Sequence, residues 1–449
     1  MSIMRILHYF LGFSRAGGLN RYAGDLAKTQ VKVGHEVFAL FPGGSIFSRN
    51  QARIFSKGSR SGVSCFELLG GKPVPLLEGI RDPQMILDGR HKLAAQDVIQ
   101  FCDTVRPDVL HIHTWMGFPE ELLGELKKRN CRIVFTTHDY FGLCPRVNFI
   151  NAHGIRCEEA GNSQCTQCNR TAPGERFLAL RNWGVLMSLK PILQPLRNCL
   201  SALRPGRKPV ATSNDCLSLN YKELLKYYCG LLDSCHVIHC NSQVAAKIYG
   251  QYRPTPPLEV VPITHCGITD RKFSRKKRDR NVRLCFIGSD EIYKGLPLLL
   301  RVLRGLHRDG VVNWSLSVWG NSRRGPDSEF PAIRYHGTFP AKEQKRVFEK
   351  ADLLVVPSVC DETFGFIVSE ALSFGLPVVC SDTVGAKDLL NPQMVYHGEK
   401  GLEDILTRIL DHPEILECRS EEICCVFHVI NMTEHQKAVE EKLYQPQMK

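Results

Sequence analysis

Two carboxylates, Glu362 and Glu370, bracket the run Glu362-Thr-Phe-Gly-Phe-Ile-Val-Ser-Glu370. The apolar stretch Leu353–Pro357 before it reads as a buried strand, and Phe364-Gly365 as the turn into a helix over Phe366–Phe374. Glu370 then falls on that helix. Carboxylates just before and inside a helix, at the carboxyl end of a strand, accept hydrogen bonds from sugar hydroxyls, while the amides of the turn suit phosphate. The same spacing, taken alone, also describes a capping acid followed by a solvated glutamate.

A second group is Cys144, Cys157, Cys165 and Cys168, the last two as Cys-x2-Cys. Four thiolates this close in sequence can close a tetrahedral zinc site and order a segment too polar to pack by itself. In a chain of 19 cysteines, chance clustering is the competing explanation. An odd count spread over the whole chain predicts reduced thiols and a cytoplasmic protein.

A third feature is Ala16-Gly17-Gly18, which follows the apolar run Arg5–Phe13 and precedes a helical pattern of Leu19, Tyr22, Ala23, Leu26 and Ala27. Strand, glycine turn and helix is the better account of this segment, since no cleavage site follows as a secretory signal would require.

The elements that must hold these residues alternate between short β-rich runs and helical spacings, the signature of parallel sheets wrapped by helices. Strands are expected at Ile3–Tyr9, Glu36–Leu40, Val109–His113, Ile133–Thr137 and His236–Asn241, with a helix over Glu120–Arg129. From about Cys144 to Ala211 the rhythm fails, which reads as an insertion. It restarts with a strand at Val282–Gly288, a helix at Leu296–Leu306, strands at Leu316–Gly320 and Val378–Asp382, and a helix at Lys342–Lys350. At 449 residues the chain is long enough for two cores. The expected domains are 1–270, carrying the insertion, and 271–429, with residues 430–449 packing back on the first.

No apolar run is long enough for a transmembrane helix. The formal charge of +12 suits nucleic acid, a membrane surface or anionic small molecules. It concentrates in residues 170–208, interleaved with apolar side chains as in a membrane-surface helix, and in residues 271–283, around Arg275-Lys-Lys-Arg278.

Around Glu362 and Glu370 the chain resembles the E-x7-E motif of the retaining GT-B glycosyltransferases of the large family 4. The resemblance extends through Ala16-Gly-Gly-Leu-Asn-Arg-Tyr22, Lys32-Val-Gly-His-Glu-Val37, Pro107–His113 and Phe135-Thr-Thr-His-Asp139. It continues with Cys266–Phe273 at the domain junction, and Ala351–Ser358 and Cys380–Gly385 on either side of the double-Glu run. It implies an α/β GT-B fold, two Rossmann-like domains facing a central cleft, and a retaining transferase that needs no metal or other cofactor for catalysis. The implied partners are a nucleotide-diphosphate sugar and a saccharide acceptor, lipid-linked in relatives that build surface polysaccharide, with no role for nucleic acid. It also implies a protein peripheral to the cytoplasmic face of a membrane.

Residue by residue, the resemblance assigns hydroxyls of the transferred sugar to Glu362, and sugar or diphosphate oxygens to the amides of Phe364, Gly365 and Phe366. It assigns the ribose to Glu370, the neighbourhood of the reacting carbon to His138, and backbone approach to the diphosphate to Gly17 and Gly18. His111 and His113 are read as structural. Lys294 matches a diphosphate-clamping lysine, but Ser289 or Asp290 stands where relatives carry arginine, leaving Arg323 or Arg324 as substitutes. A GT-B sugar-nucleotide epimerase, or a basic zinc-stapled binding protein without catalysis, are the alternatives.

Overall fold

The computed structural model describes residues 3–43, 51–151, 153–161, 163–181, 214–273 and 280–445. Most of the basic, apolar stretch 170–208 and the run Arg275–Arg278 therefore lie outside the described residues. The chain forms two compact units. The first comprises Met1–Cys240, Tyr249–Val261 and Gln436–Lys449, and the second Asn241–Ile248 and Pro262–His435.

The first unit holds an eight-stranded sheet in the order β3-β4-β2-β1-β5-β6-β7-β8. In chain order the strands are Arg5–Tyr9, Glu36–Pro42, Arg53–Arg60, Val63–Leu69, Val109–Ile112, Arg132–Thr136, Val237–Cys240 and Leu258–Val260. All neighbours run parallel except β3 and β4, an antiparallel hairpin. β1, β5, β6 and β7 are short apolar runs buried along nearly their whole length, as strands covered on both faces must be. On one face, Ile6, Val109, Val134 and Val237 pack against Val439, Leu443 and Tyr444 from the end of the chain. The chain leaves β1 toward β2 on one side and returns to β5 on the other. That reversal opens a crevice at the carboxyl ends of these two strands, where ligands of open α/β sheets bind.

The segment read as an insertion contains short helices at Gln164–Cys168 and Glu175–Arg181, and the long helix Asn214–Leu232 follows it.

The second unit holds a seven-stranded sheet in the order β11-β12-β10-β9-β13-β14-β15. Its strands are Val282–Ile287, Trp314–Trp319, Arg324–Pro326, Ile333–Gly337, Leu353–Val356, Val378–Ser381 and Val395–Tyr396. Only the β11–β12 pair is antiparallel. The helix Leu296–Arg308 buries Leu299, Val302, Leu303 and Leu306, a stripe at helical spacing, against Leu284, Leu316 and Val318 of the sheet. Here the order reverses between β9 and β13, so the crevice lies at the ends of those strands.

Candidate active site

In the second unit the crevice is built by two turns that glycine makes possible. Gly295 caps the helix Leu296–Arg308 in the left-handed region, at φ 78°, and a Cβ there would lie 1.6 Å from the carbonyl oxygen of Pro357. No other residue fits, and the close approach sets Lys294 beside the end of β13. Gly365 has φ 94°, and a Cβ there would meet Val384 at 3.0 Å and Glu362 Oε2 at 3.4 Å. It turns the chain into the helix Phe366–Leu372.

Between these turns, Lys294 Nζ donates to Glu362 Oε1 at 2.9 Å, and the Ser358 hydroxyl donates to the same oxygen. Both bonds fall on Oε1, so Oε2, next to the Gly365 turn, is the oxygen left facing it. Burial pushes the Glu362 carboxyl up, but the Lys294 charge and the two hydrogen bonds outweigh it and hold it below the usual carboxylate range. Burial likewise opposes the charge on Lys294, and Glu362 more than restores it, so the ammonium holds its proton more tightly than usual. The pair is thus a fixed cation and a fixed carboxylate at neutral pH.

Glu370 lies one helical turn further on. Its Oε1 accepts from His265 Nε2 at 2.9 Å, and the Gly267 amide donates to His265 Nδ1 at 3.0 Å. The amide demands a lone pair on Nδ1, which places the ring proton on Nε2 and directs it at the carboxylate. The His265 side chain is 1% exposed, and its ring meets that of Phe366 edge-on at 5.0 Å. Phe364 is buried and packs edge-on with Phe366. Sequence reasoning missed both His265 and Ser358; the first sits in the loop Thr264-His265-Cys266-Gly267, where nothing local betrays its partner.

The position expected to carry arginine is polar and exposed: Asp290 accepts from the Ser322 amide at 2.9 Å. Of the two substitutes, Arg323 lies over the Tyr335 ring, 4.2 Å from its centroid, and donates to the Tyr335 hydroxyl at 3.1 Å. Arg324 lies in β11, the antiparallel edge strand. Lys294 is a cation that the Gly295 turn holds beside Glu362 in the crevice.

In the first unit, β1 leads through a loop to Gly17, whose φ of 116° starts the helix Gly18–Lys32. Both glycines are exposed. His138 follows β6 by two residues and is partly exposed, and its Nε2 lies 3.2 Å from Nδ1 of the buried His113. His113 lies in turn 3.0 Å from His8. His8, His111 and His113 are, among the described residues, the group of potential metal ligands whose donor atoms fall within 4.8 Å of one another.

The cysteines do not meet that spacing. Cys165 is buried and its thiol is pushed up to about 12, chiefly by burial and next by the neighbouring Cys144. Burial also raises Cys144, against three backbone amides, those of Arg146, Asn148 and Phe149, that point hydrogen bonds at its sulfur. Three amides aimed at one sulfur favour a thiolate at Cys144 itself; the four sulfurs are not gathered as the histidine nitrogens are.

Two family models match the chain. Residues 16–159 match the model of "Glycosyltransferase Family 4", and residues 281–415 that of "Glycosyl transferases group 1". The chain belongs to the family 4, group 1 glycosyltransferases. Each match falls on one of the two sheets, and the second spans the Lys294, Glu362 and Glu370 crevice. A search of curated proteins finds no match.

Solved GT-B glycosyltransferases share the fold along the whole length. The Anabaena protein HepE, solved with UDP and glucose, is 12% identical, with 99% of this chain and 100% of that one covered, at a TM-score of 0.55. Sucrose-phosphate synthase from Thermosynechococcus elongatus is 13% identical over 97% of each chain, at 0.57. The Escherichia coli structure described as trehalose-6-phosphate bound with UDP-2-fluoro glucose is 13% identical over 98% of this chain and 99% of that one, at 0.58. At this identity the likeness speaks for the fold: the family's two Rossmann-like sheets with helices.

Proposed function

We propose that this glycosyltransferase moves a sugar, with retention, from a nucleotide-diphosphate sugar to a saccharide acceptor. The observation that carries the reading is the Lys294–Glu362 pair, a cation and a carboxylate held side by side in the crevice between β9 and β13. A diphosphate sugar needs both in that order, a positive charge for the leaving group and an acceptor for the hydroxyls of the ring. UDP or UDP-glucose in the HepE structures supports the same donor class.

In this reading Glu362 Oε2 receives sugar hydroxyls, and the amides of Phe364, Gly365 and Phe366 bind sugar or phosphate oxygens. Glu370, oriented by His265, binds the ribose. Charge growing on the departing diphosphate is met by Lys294 and by main-chain amides already held in place, which act without reorganising. The chemistry therefore calls for no metal. Gly17 and Gly18 let backbone approach the diphosphate, and His138 contributes a ring nitrogen near the reacting carbon. The donor phosphate takes the acceptor proton as the new bond forms on the face the diphosphate leaves. A zinc ion held by Cys144, Cys157, Cys165 and Cys168 would order the segment after His138 and take no part in the reaction.

The acceptor in this proposal is a lipid-linked saccharide of surface polysaccharide biosynthesis, met at the cytoplasmic face of a membrane. No helix among the described residues is long and apolar enough to cross one; the attachment proposed is through the interleaved basic and apolar residues of 170–208. Binding to anionic vesicles that weakens with salt is the expected result, since the attraction is screened over about 8 Å at physiological ionic strength.

A thermal-shift panel of nucleoside diphosphates tests the donor class, because a ligand that binds the folded form raises its apparent stability. One diphosphate should stand out, its sugar conjugates should be consumed with acceptor present, and the product should keep the donor's anomeric configuration. No response to any diphosphate would overturn the reading.

A further inference from the structure

Above the apolar layer of Ile6, Val109, Val134 and Val237, the next inward positions on the same face of the first sheet are His8, His111, Thr136 and His239. Four adjacent strands thus carry a polar layer in a place that should be apolar. All four side chains are fully buried. Burial at this depth is tolerated only when every polar atom has a partner, and the partners here form one continuous chain.

Its direction follows from one end. His239 Nε2 lies 2.7 Å from the carbonyl oxygen of Val261, which can only accept, so His239 carries its proton on Nε2. Its Nδ1 must then accept from the Thr136 hydroxyl, at 2.9 Å. Thr136 in turn accepts from His111 Nε2 at 2.6 Å, and His111 Nδ1 accepts from the Tyr444 hydroxyl at 2.7 Å. The Tyr444 oxygen accepts from Gln30 Nε2 at 3.0 Å, which turns Gln30 Oε1 toward His8 Nε2 at 2.6 Å. His8 Nδ1 accepts from His113 Nε2 at 3.0 Å, and His113 Nδ1 accepts from His138 Nε2 at 3.2 Å. Each step is forced by the one before it.

Both nitrogens of His8, His111 and His113 are used by this chain, so a metal ion at their centre would have to break it. Nor does the chain suit proton conduction. Relay would reverse every bond, and reversal would set the bare nitrogen of His239 against the Val261 carbonyl.

We propose that this buried one-way chain is a tautomer clamp for His138: it fixes Nε2 as the donor directed inward and Nδ1 as the acceptor nitrogen offered to a hydroxyl of the bound sugar or acceptor. His8, His111, His113, His239, Gln30, Thr136 and Tyr444 are positioning residues that act through His138. The proposal rests on the placement of His138 at the site. The clamp itself is a property of the first unit and is measurable without substrate.

The test is long-range proton–nitrogen correlation on the full chain with 15N-labelled histidine, which distinguishes the two neutral tautomers and the imidazolium. His8, His111, His113, His138 and His239 should all show the Nε2–H form near pH 7.5. Any of the four interior rings as Nδ1–H or as imidazolium would overturn the proposal. Breaking the chain at two points then reads its direction. Tyr444→Phe lets the Gln30 amide turn over, so His8, His113 and His138 should lose their single tautomer while His111 and His239 keep theirs. Thr136→Val moves the break toward the anchor and should release His111 as well, with His239 alone unchanged. Should one variant fold poorly, the other still decides, and a released set that ignores the position of the break would overturn the clamp. In either variant turnover should fall roughly tenfold, about one hydrogen bond's worth, with the Michaelis constant for the donor little changed. Tautomers released with transfer untouched would remove His138 from the site and leave the chain's direction standing.

Discussion

Lys294 engages a single oxygen of Glu362: the ammonium and the Ser358 hydroxyl both donate to Oε1, and the second carboxylate oxygen faces the Gly365 turn. The two residues therefore have separable duties. Lys294→Ala should weaken the free nucleoside diphosphate about tenfold to a hundredfold, the worth of a hydrogen bond to a charged group. Glu362→Gln should leave that affinity unchanged or slightly improved, since Lys294 loses a competing partner, while turnover falls. Contacts that tighten only as the glycosidic bond breaks appear in the rate and not in ground-state binding. Calorimetry with the diphosphate and single-turnover transfer on both variants check this. Equal losses in both assays for both variants would merge the two roles.

Glu370 gives a different pattern. If it holds the ribose, Glu370→Gln should weaken sugar donor and free diphosphate by the same factor, about tenfold. His265 is its orienting partner, so His265→Ala should reproduce part of that loss on both ligands with little effect on the rate once donor is bound. An unaltered diphosphate affinity in both variants would place the ribose elsewhere.

How much of this could be read in advance depended on how local each signal was. The Glu362–Glu370 run lies in one segment, and its strand, turn and helix lie where the residue pattern puts them. His265 could not be tied to Glu370, because the loop that brings them together lies 105 residues away in sequence. The histidines of β1, β5 and β7 were visible as residues, but their layer exists only through the register that sets His8 against His111 and Thr136 against His239. The hairpin Arg53–Arg60 and Val63–Leu69 escaped notice because its first strand is mostly exposed and lacks an apolar face. The helix Asn214–Leu232 escaped because it begins at the edge of a stretch whose pattern fails.

The cysteines make a metal prediction. Purified protein should contain about one zinc per chain, motivated by four cysteines within residues 144–168 and the amides converging on Cys144. Chelation should loosen residues 144–168, seen as new protease cuts there, and leave diphosphate binding mostly intact. Metal-free protein whose four thiols alkylate freely in the native state would rule the site out.

Acid should test the buried layer from another side. Burial pushes His8 and His239 down to about 4, against the hydrogen bond that His8 donates to Gln30 Oε1 and the one that His239 donates to the Val261 carbonyl. His113 is also pushed well down, first by burial and then by the neighbouring His111, His8, His138 and His239. Unfolded, each ring takes a proton near pH 6.5, so between about 6.5 and 4 the unfolded chain binds more protons than the folded one. The stability these rings confer is complete above pH 6.5 and is lost as pH falls toward 4. Other groups of the same unit move both ways: burial lowers His236 as it does the three rings, and raises Asp139, to about 6, and Glu121, so that these two acids take up a proton in the folded chain first. The net difference is about two protons, or roughly 3 kcal/mol of stability for each pH unit in the window from 6 to 4. Thermal midpoints of the full chain at intervals from pH 7.5 to 4.5 should hold steady above about 6.5 and then fall progressively more steeply. His239→Gln should flatten that fall by about one proton if the variant folds. Midpoints that stay level down to pH 5 would mean that the layer is protonated in the folded protein, and with it the single direction of the hydrogen-bond chain would be lost.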